Sequence, residues 1–259
     1  MLLIPALLGA MVGTLMALTG AGGAVLSVPL LTVVLGLNMQ QAAVISLTAI
    51  ATSASIHSIK GLMAGDVRYK AAMLIAVCGL VAAPFGVTLA TMLPQAGLKV
   101  IYAGVLLYVA WLVWHRREEL QEAEKSLACQ INPDTARFNW TMPCTHRMMM
   151  TGFGAGFLSG LLGVGGGFII VPALHRISNL NHTSVLHTTV AAIAIISTGS
   201  LILHSAHTSI AWQVAIPFVL GMMVSVWLTG HFFRKISRKT SQSLFAGLAL
   251  LAALAVLIA

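Results

Sequence analysis

All six carboxylates of this 259-residue chain stand outside its long apolar runs. Asp66 lies in a short loop, while Glu118, Glu119, Glu122, Glu124 and Asp134 crowd into one polar stretch. Only 8% of the residues are charged and 58% are apolar. A soluble domain carries roughly 25% charged residues. So few charges cannot cover a water-facing surface, which excludes a soluble enzyme, a DNA-binding domain and a secreted disulfide scaffold. The natural solvent is a bilayer, where runs of this kind satisfy their backbone as helices. The three cysteines, Cys78, Cys129 and Cys144, form no CxxC pair and give no disulfide or zinc assignment. No Lys or Arg precedes the first apolar run, so that run is expected to be a retained helix rather than a cleaved signal.

The punctuation of the apolar runs predicts ten helical segments: 3–19, 24–37, 41–59, 70–92 and 97–115, then 148–162, 166–178, 183–203, 211–233 and 240–258. A crossing needs about 20 residues, and the first two segments of each five are short for that. Glycine, not a polar loop, divides those pairs: Gly20-Ala21-Gly22-Gly23 in the first, Gly163-Val164-Gly165-Gly166-Gly167 in the second.

The two sets of five are copies. An offset of 143 residues superposes Gly13 on Gly156, Gly20 on Gly163, Gly22 on Gly165, Gly23 on Gly166 and Pro29 on Pro172. Apolar letters coincide easily in such a composition, but four glycines and a proline at one offset do not. The expected organisation is a first transmembrane repeat over 1–115, a cytoplasmic linker over 116–147 and a second transmembrane repeat over 148–259.

Positive charge sets the orientation, because Lys and Arg favour cytoplasmic loops. With both termini outside, the cytoplasmic side receives Lys60, Arg68, Lys70, Arg116, Arg117, Lys125, Arg137, Arg147, Arg176, Arg234, Lys235, Arg238 and Lys239, and only Lys99 falls outside. Parity is the same whether the short pairs span or re-enter. Each copy then crosses an odd number of times, and the two are inverted. This is the architecture of many secondary transporters, with a site where the repeats meet near the midplane. The expected fold class is an all-α polytopic membrane protein of two inverted repeats.

Glycine lets a backbone bend sharply and lets a ligand approach it. A helix that opens at such a turn points unsatisfied N–H groups and the positive end of its dipole at one place, an anion site without a charged side chain. Gly22, Gly23, Gly165 and Gly166 are the candidates for a functional backbone. Gly13, Gly156 and Gly160 read instead as close-packing residues. Among hydroxyls, Ser46, Thr48, Thr188 and Thr189 begin the helices that follow the glycine-headed ones. Each can donate to an anion or bond a carbonyl of its own helix. His187 is the sharpest ionisable candidate, as an anion donor, a proton carrier or a histidine bonded to backbone. No histidine pair has metal-ligand spacing supported by acids or thiols, so neither metal nor cofactor is expected. The absence of carboxylates from the crossings favours an anion over a cation as substrate. No nucleophile–base constellation marks an enzyme.

At the glycine turns the chain resembles the sulfite exporter TauE/SafE family of bacterial membrane transporters. Gly160-Leu-Leu-Gly-Val-Gly-Gly-Gly-Phe-Ile-Ile-Val-Pro172 looks like that family's glycine-rich signature, and Thr19-Gly-Ala-Gly-Gly-Ala-Val-Leu-Ser-Val-Pro29 is a variant of it. Thr188-Thr189 is similar to the family's hydroxyl pair, of which Ile45-Ser46 keeps one member; Gly65-Asp66-Val67 also fits. The resemblance implies transport of sulfite, an organosulfonate or a related small anion across the inner membrane, with no nucleic-acid partner. Because Ala24 stands where the second copy has its third glycine, the two half-sites are expected to be unequal. A passive anion channel and a membrane assembly factor are the competing classes.

Overall fold

The computed structural model describes residues 2–19, 21–115, 129, 140–232 and 247–256. Among them the long elements are all helices: α1 (Leu3–Thr19), α2 (Ser27–Leu35), α3 (Met39–Met63), α4 (Tyr69–Met92), α5 (Gln95–His115), α6 (Met142–Leu162), α7 (Gly167–Ile177), α8 (His182–Ser205), α9 (Trp212–Phe232) and α10 (Gly247–Val256). Among the described residues four helices are long and apolar enough to cross a membrane, within Met39–Met63, Tyr69–Met92, His182–Ser205 and Trp212–Thr229. Each of the ten expected segments has its helix. Most of the stretch between α5 and α6 lies outside the described residues.

A boundary difference appears at α6, which starts six residues before the expected 148, while residues 240–246 of the tenth expected segment lie outside the described residues. Thr141 caps it by accepting from the Cys144 N–H at 3.3 Å, and Pro143 occupies the first turn, where its missing donor costs nothing. That turn is polar, so an apolar run does not reveal it.

α4 packs along α6, α1 along α9, and α3 against α8. Small residues make the first two contacts, as expected where lipid supplies no hydrophobic drive between helices. A β-carbon on Gly152 would overlap the backbone of Ile75, and one on Gly156 the backbone of Gly79. One on Gly9 would overlap the Phe218 carbonyl, and one on Gly13 would lie 2.6 Å from the Met222 carbonyl oxygen. The offset of 143 residues read from the sequence carries Gly9–Phe218 onto Gly152–Ile75 and Gly13–Met222 onto Gly156–Gly79. Glycine contacts at the same offset therefore occur in both helix pairs, α1 with α9 and α6 with α4.

α3 and α8 form the centre and run antiparallel. Gly61 meets the His187 ring at one end. Further along, Ile50 of α3 and Ile193 and Ser197 of α8 converge on Gly165. Leu47, Ile50, Ile193 and Ile196 are almost fully buried there.

Candidate functional site

The two glycine turns fold differently. In the second copy Gly163, Gly165 and Gly166 all take positive φ, at 72°, 75° and 70°. L-residues avoid that region and glycine enters it freely. Gly163 closes α6, its N–H donating to Ser159 O at 2.9 Å, and Gly166 is the residue from which α7 starts. In the first copy the chain from Ala21 to Leu26 winds as a 3-10 helix that runs on into α2. Gly22 and Gly23 lie within it, and Gly23 is not left-handed. Tyr102 of α5 braces this segment, donating its hydroxyl to Val25 O at 2.6 Å. A continuous helical winding uses up amides that an abrupt turn leaves open.

The second turn opens a helix that no side chain caps. α6 and α8 have side-chain caps, from Thr141 and Asn181, but α7 has none. The Ile169 and Ile170 N–H groups already donate to Gly166 O at 3.1 and 3.3 Å, so only the Gly167 and Phe168 amides are left without an intrahelical acceptor by helix geometry. Residues 161–168 are all buried, so the turn touches neither water nor lipid in this conformation.

Each glycine of the turn has its own neighbour. A β-carbon on Gly163 would overlap Ala43 of α3, and one on Gly166 would lie 2.5 Å from Ala155 O of α6. Both positions are closed by packing. Gly165 faces side chains instead: Ser197 Oγ at 2.9 Å, Ile50 at 3.0 Å and Ile193 at 3.3 Å from where its β-carbon would stand. Gly23, which matches Gly166 in the repeat, is pressed against the backbone of Leu15 and Met16 in the same manner.

The hydroxyls divide by partner. Thr48 donates to Val44 O of its own helix at 2.8 Å. Ser46 is buried and paired with Ser27, which also donates to Ala24 O at 2.6 Å. Thr188 accepts from the Arg68 N–H at 3.0 Å and so fixes the loop before α4. Thr189 and Ser197 are fully buried, and their hydroxyls have no partner. A buried hydroxyl left unbonded costs about 1–3 kcal/mol, so these two are standing exceptions. Ser197 was one hydroxyl among many in the sequence; only its place beside Gly165 distinguishes it.

The first copy lacks this arrangement. Ser46, the counterpart of Thr189, is satisfied by Ser27, and Ala54 stands where the offset places Ser197. On α8, Thr189, Ser197, Ser200 and His204 follow the buried side of the helix. Ser200 pairs with Ser159 at 3.1 Å, and His204 Nε2 lies 2.6 Å from Gly160 O.

His187 is not part of this cluster. Its Nδ1 lies 3.2 Å from Asp66 Oδ2, with both side chains about one-third exposed (32% and 37%). The contact is at ion-pair distance without hydrogen-bond geometry. Among the described residues no three of His, Cys, Asp and Glu converge as a metal set.

The sequence profile of the family described as "Sulfite exporter TauE/SafE" matches residues 5–256. This chain belongs to the sulfite exporter TauE/SafE family. A Xylella fastidiosa (strain 9a5c) relative, described as a probable membrane transporter protein, is 25% identical over 215 residues, covering 82% of this chain and 77% of its own length. The Bacillus subtilis probable membrane transporter protein YjnA is 24% identical over 264 residues, covering 96% of each chain. A Haemophilus influenzae relative with the same description is 34% identical over 105 residues, 38% of this chain and 40% of its own. No solved structure gives a significant match. The family is one of membrane transporters, and the four long apolar helices agree with a multi-pass protein.

Proposed function

We propose that this TauE/SafE protein is a secondary transporter for a small anion, sulfite or an organosulfonate, working by alternating access between two inverted repeats. The observation that carries the reading is the Ser197 hydroxyl, fully buried and unpartnered, beside Gly165 in the left-handed turn that opens the uncapped helix α7. A sulfur oxyanion accepts several hydrogen bonds and carries negative charge. Backbone amides at a helix start and a hydroxyl donor match it, and the helix dipole adds attraction.

The exchanged packing of α4–α6 and α1–α9 supports two repeats able to move against each other about α3 and α8. The boundaries in this reading are 1–115 and 148–259, with 116–147 as a cytoplasmic linker. The charge distribution supports a bacterial inner-membrane protein with both termini outside. The conformation described is then a closed one, since the turn is buried; substrate reaches it only after the repeats shift.

Of the residues singled out from sequence, Gly165 and Gly166 supply the turn and Thr189 supplies a hydroxyl along its path, beside Ser197, which the sequence did not single out. Gly22, Gly23 and Ser46 form the weaker half-site. Thr48, Thr188 and His187 serve the surrounding helices. The test is uptake into proteoliposomes of radiolabelled sulfite, taurine and sulfoacetate, with Ser197→Ala beside the parent protein. Saturable uptake with counterflow, weakened by Ser197→Ala, supports the carrier. Linear, non-saturating conductance contradicts it and indicates a channel.

A further inference from the structure

Cys129 and Cys144 are joined by a disulfide, with Cα atoms 4.9 Å apart and both residues fully buried. Cys144 lies in the first turn of α6. Cys129 donates its N–H to Ile177 O at 2.7 Å, at the last residue of α7, and forms a parallel bridge with Ser178. α6 and α7 are the two arms of the hairpin whose closed end is the Gly163–Gly166 turn. The connection from Cys144 through Cys129 to Ile177 therefore ties that hairpin at its open end.

Two facts about this tie conflict. Disulfides persist in oxidising compartments and are rare where the thiol pool is reducing. Yet Arg147 and Arg176 flank the tie, on the side that collects 13 of the 14 Lys and Arg residues, the cytoplasmic side by charge. A bond stable under all conditions does not fit that side; a conditional bond does.

We propose that Cys129 and Cys144 are a redox modification site, a thiol–disulfide latch on the cytoplasmic end of the α6–α7 hairpin, exchanging with a low-molecular-weight thiol–disulfide couple. In the closing direction one protein thiolate attacks the small disulfide, forming a mixed disulfide and releasing one small thiol. The second protein thiolate displaces the other small thiol and completes the Cys129–Cys144 bond. Two protein thiols are oxidised, and one small disulfide is reduced to two thiols. The oxidised latch holds the end of α7 to the start of α6 and restrains the hairpin that presents the glycine turn. Because both sulfurs are buried in the closed form, exchange requires Cys129 to lift from Ile177.

The inference rests on the cytoplasmic placement of that end, not on the identity of the substrate. The test uses the full chain in liposomes, in a Cys78→Ser background, equilibrated with reduced or oxidised glutathione. Thiols are counted by iodoacetamide mass shift, and amide hydrogen exchange is read at Ile177 and Ser178. A reducing poise is expected to give two alkylated thiols and roughly tenfold faster exchange at the end of α7; an oxidising poise gives neither. The Cys129→Ser, Cys144→Ser variant is expected to exchange fast at both poises. Persistence of the disulfide at a cytosolic glutathione poise would overturn the proposal, as would free thiols with unchanged exchange. Labelling of the reduced pair by an impermeant maleimide from the outer face of intact cells would also overturn it. No arm involves substrate, so a failed latch leaves the anion-transport reading standing, and absent flux leaves the latch standing.

Discussion

Ser197 Oγ lies 2.9 Å from the point where a β-carbon on Gly165 would stand, and it has no hydrogen-bond partner. Ser197 therefore separates binding from stability. Ser197→Ala removes a buried hydroxyl that bonds nothing, so the melting temperature should stay level or rise slightly. A hydrogen bond to a charged group contributes about 1.5–3 kcal/mol, so anion affinity should fall roughly tenfold or more. Thr48→Val is the contrast: that hydroxyl is occupied by Val44 O, and flux should match the parent. Equal affinity in Ser197→Ala and the parent, measured by thermal titration with the transported anion, would remove Ser197 from the site.

Gly165 and Gly166 should respond differently to the same change. Gly165→Ala carries a left-handed strain of about 1–2 kcal/mol, and its methyl meets the Ser197 hydroxyl, which can rotate away, and the Ile50 and Ile193 side chains, which must give slightly. The variant should fold and lose most of its flux. Gly166→Ala drives a methyl to 2.5 Å from the Ala155 carbonyl in the backbone of α6. It should lower the melting temperature or the yield before flux is considered. Folded yield and initial uptake rate, measured together, distinguish the two.

The repeat makes a paired prediction. Gly13→Val and Gly156→Val press a branched side chain into the backbones of α9 and α4, at positions related by the offset of 143 residues. Overpacking a tight contact costs typically 1–3 kcal/mol, more against backbone. Both variants should lose stability to a similar degree in thermal denaturation. A severe loss at one and none at the other would contradict the shared packing of α1–α9 and α4–α6.

Asp66 and His187 are each about one-third exposed, so their pairing is screened. Asp66→Asn should change stability by less than about 1 kcal/mol. A loss of several degrees in the melting temperature would mean that the pair holds the loop before α4 more firmly than its exposure allows.

The helices were legible because lipid forces the apolar runs into helical form, and glycine, proline and short charged loops mark their ends. The close-packing glycines were legible because glycines at backbone contacts leave no alternative residue: Gly13 and Gly156 face backbone, as their reading for close packing expected. The site was only partly legible. Every Ser and Thr in a helix can bond the carbonyl one turn back, and Thr48 does so while Ser197 does not. Which of them is left without a partner depends on residues such as Gly165 and Ile50, distant in sequence. The first turn's winding into a 3-10 helix was hidden too, and its contact with Tyr102 comes from far along the chain. The Cys129–Cys144 disulfide has a separation of 15 residues and no motif, so spacing alone could not suggest it.

The most direct measurement is initial uptake of radiolabelled sulfite and small sulfonates by proteoliposomes, as a function of concentration, for the parent protein and Ser197→Ala. Saturable uptake of at least one of these anions, inhibited by the others, is the expected result. In Ser197→Ala, half-saturation should move up roughly tenfold while the protein stays folded. Folded protein that transports none of these anions, or uptake unaffected by Ser197→Ala, would contradict the central claim.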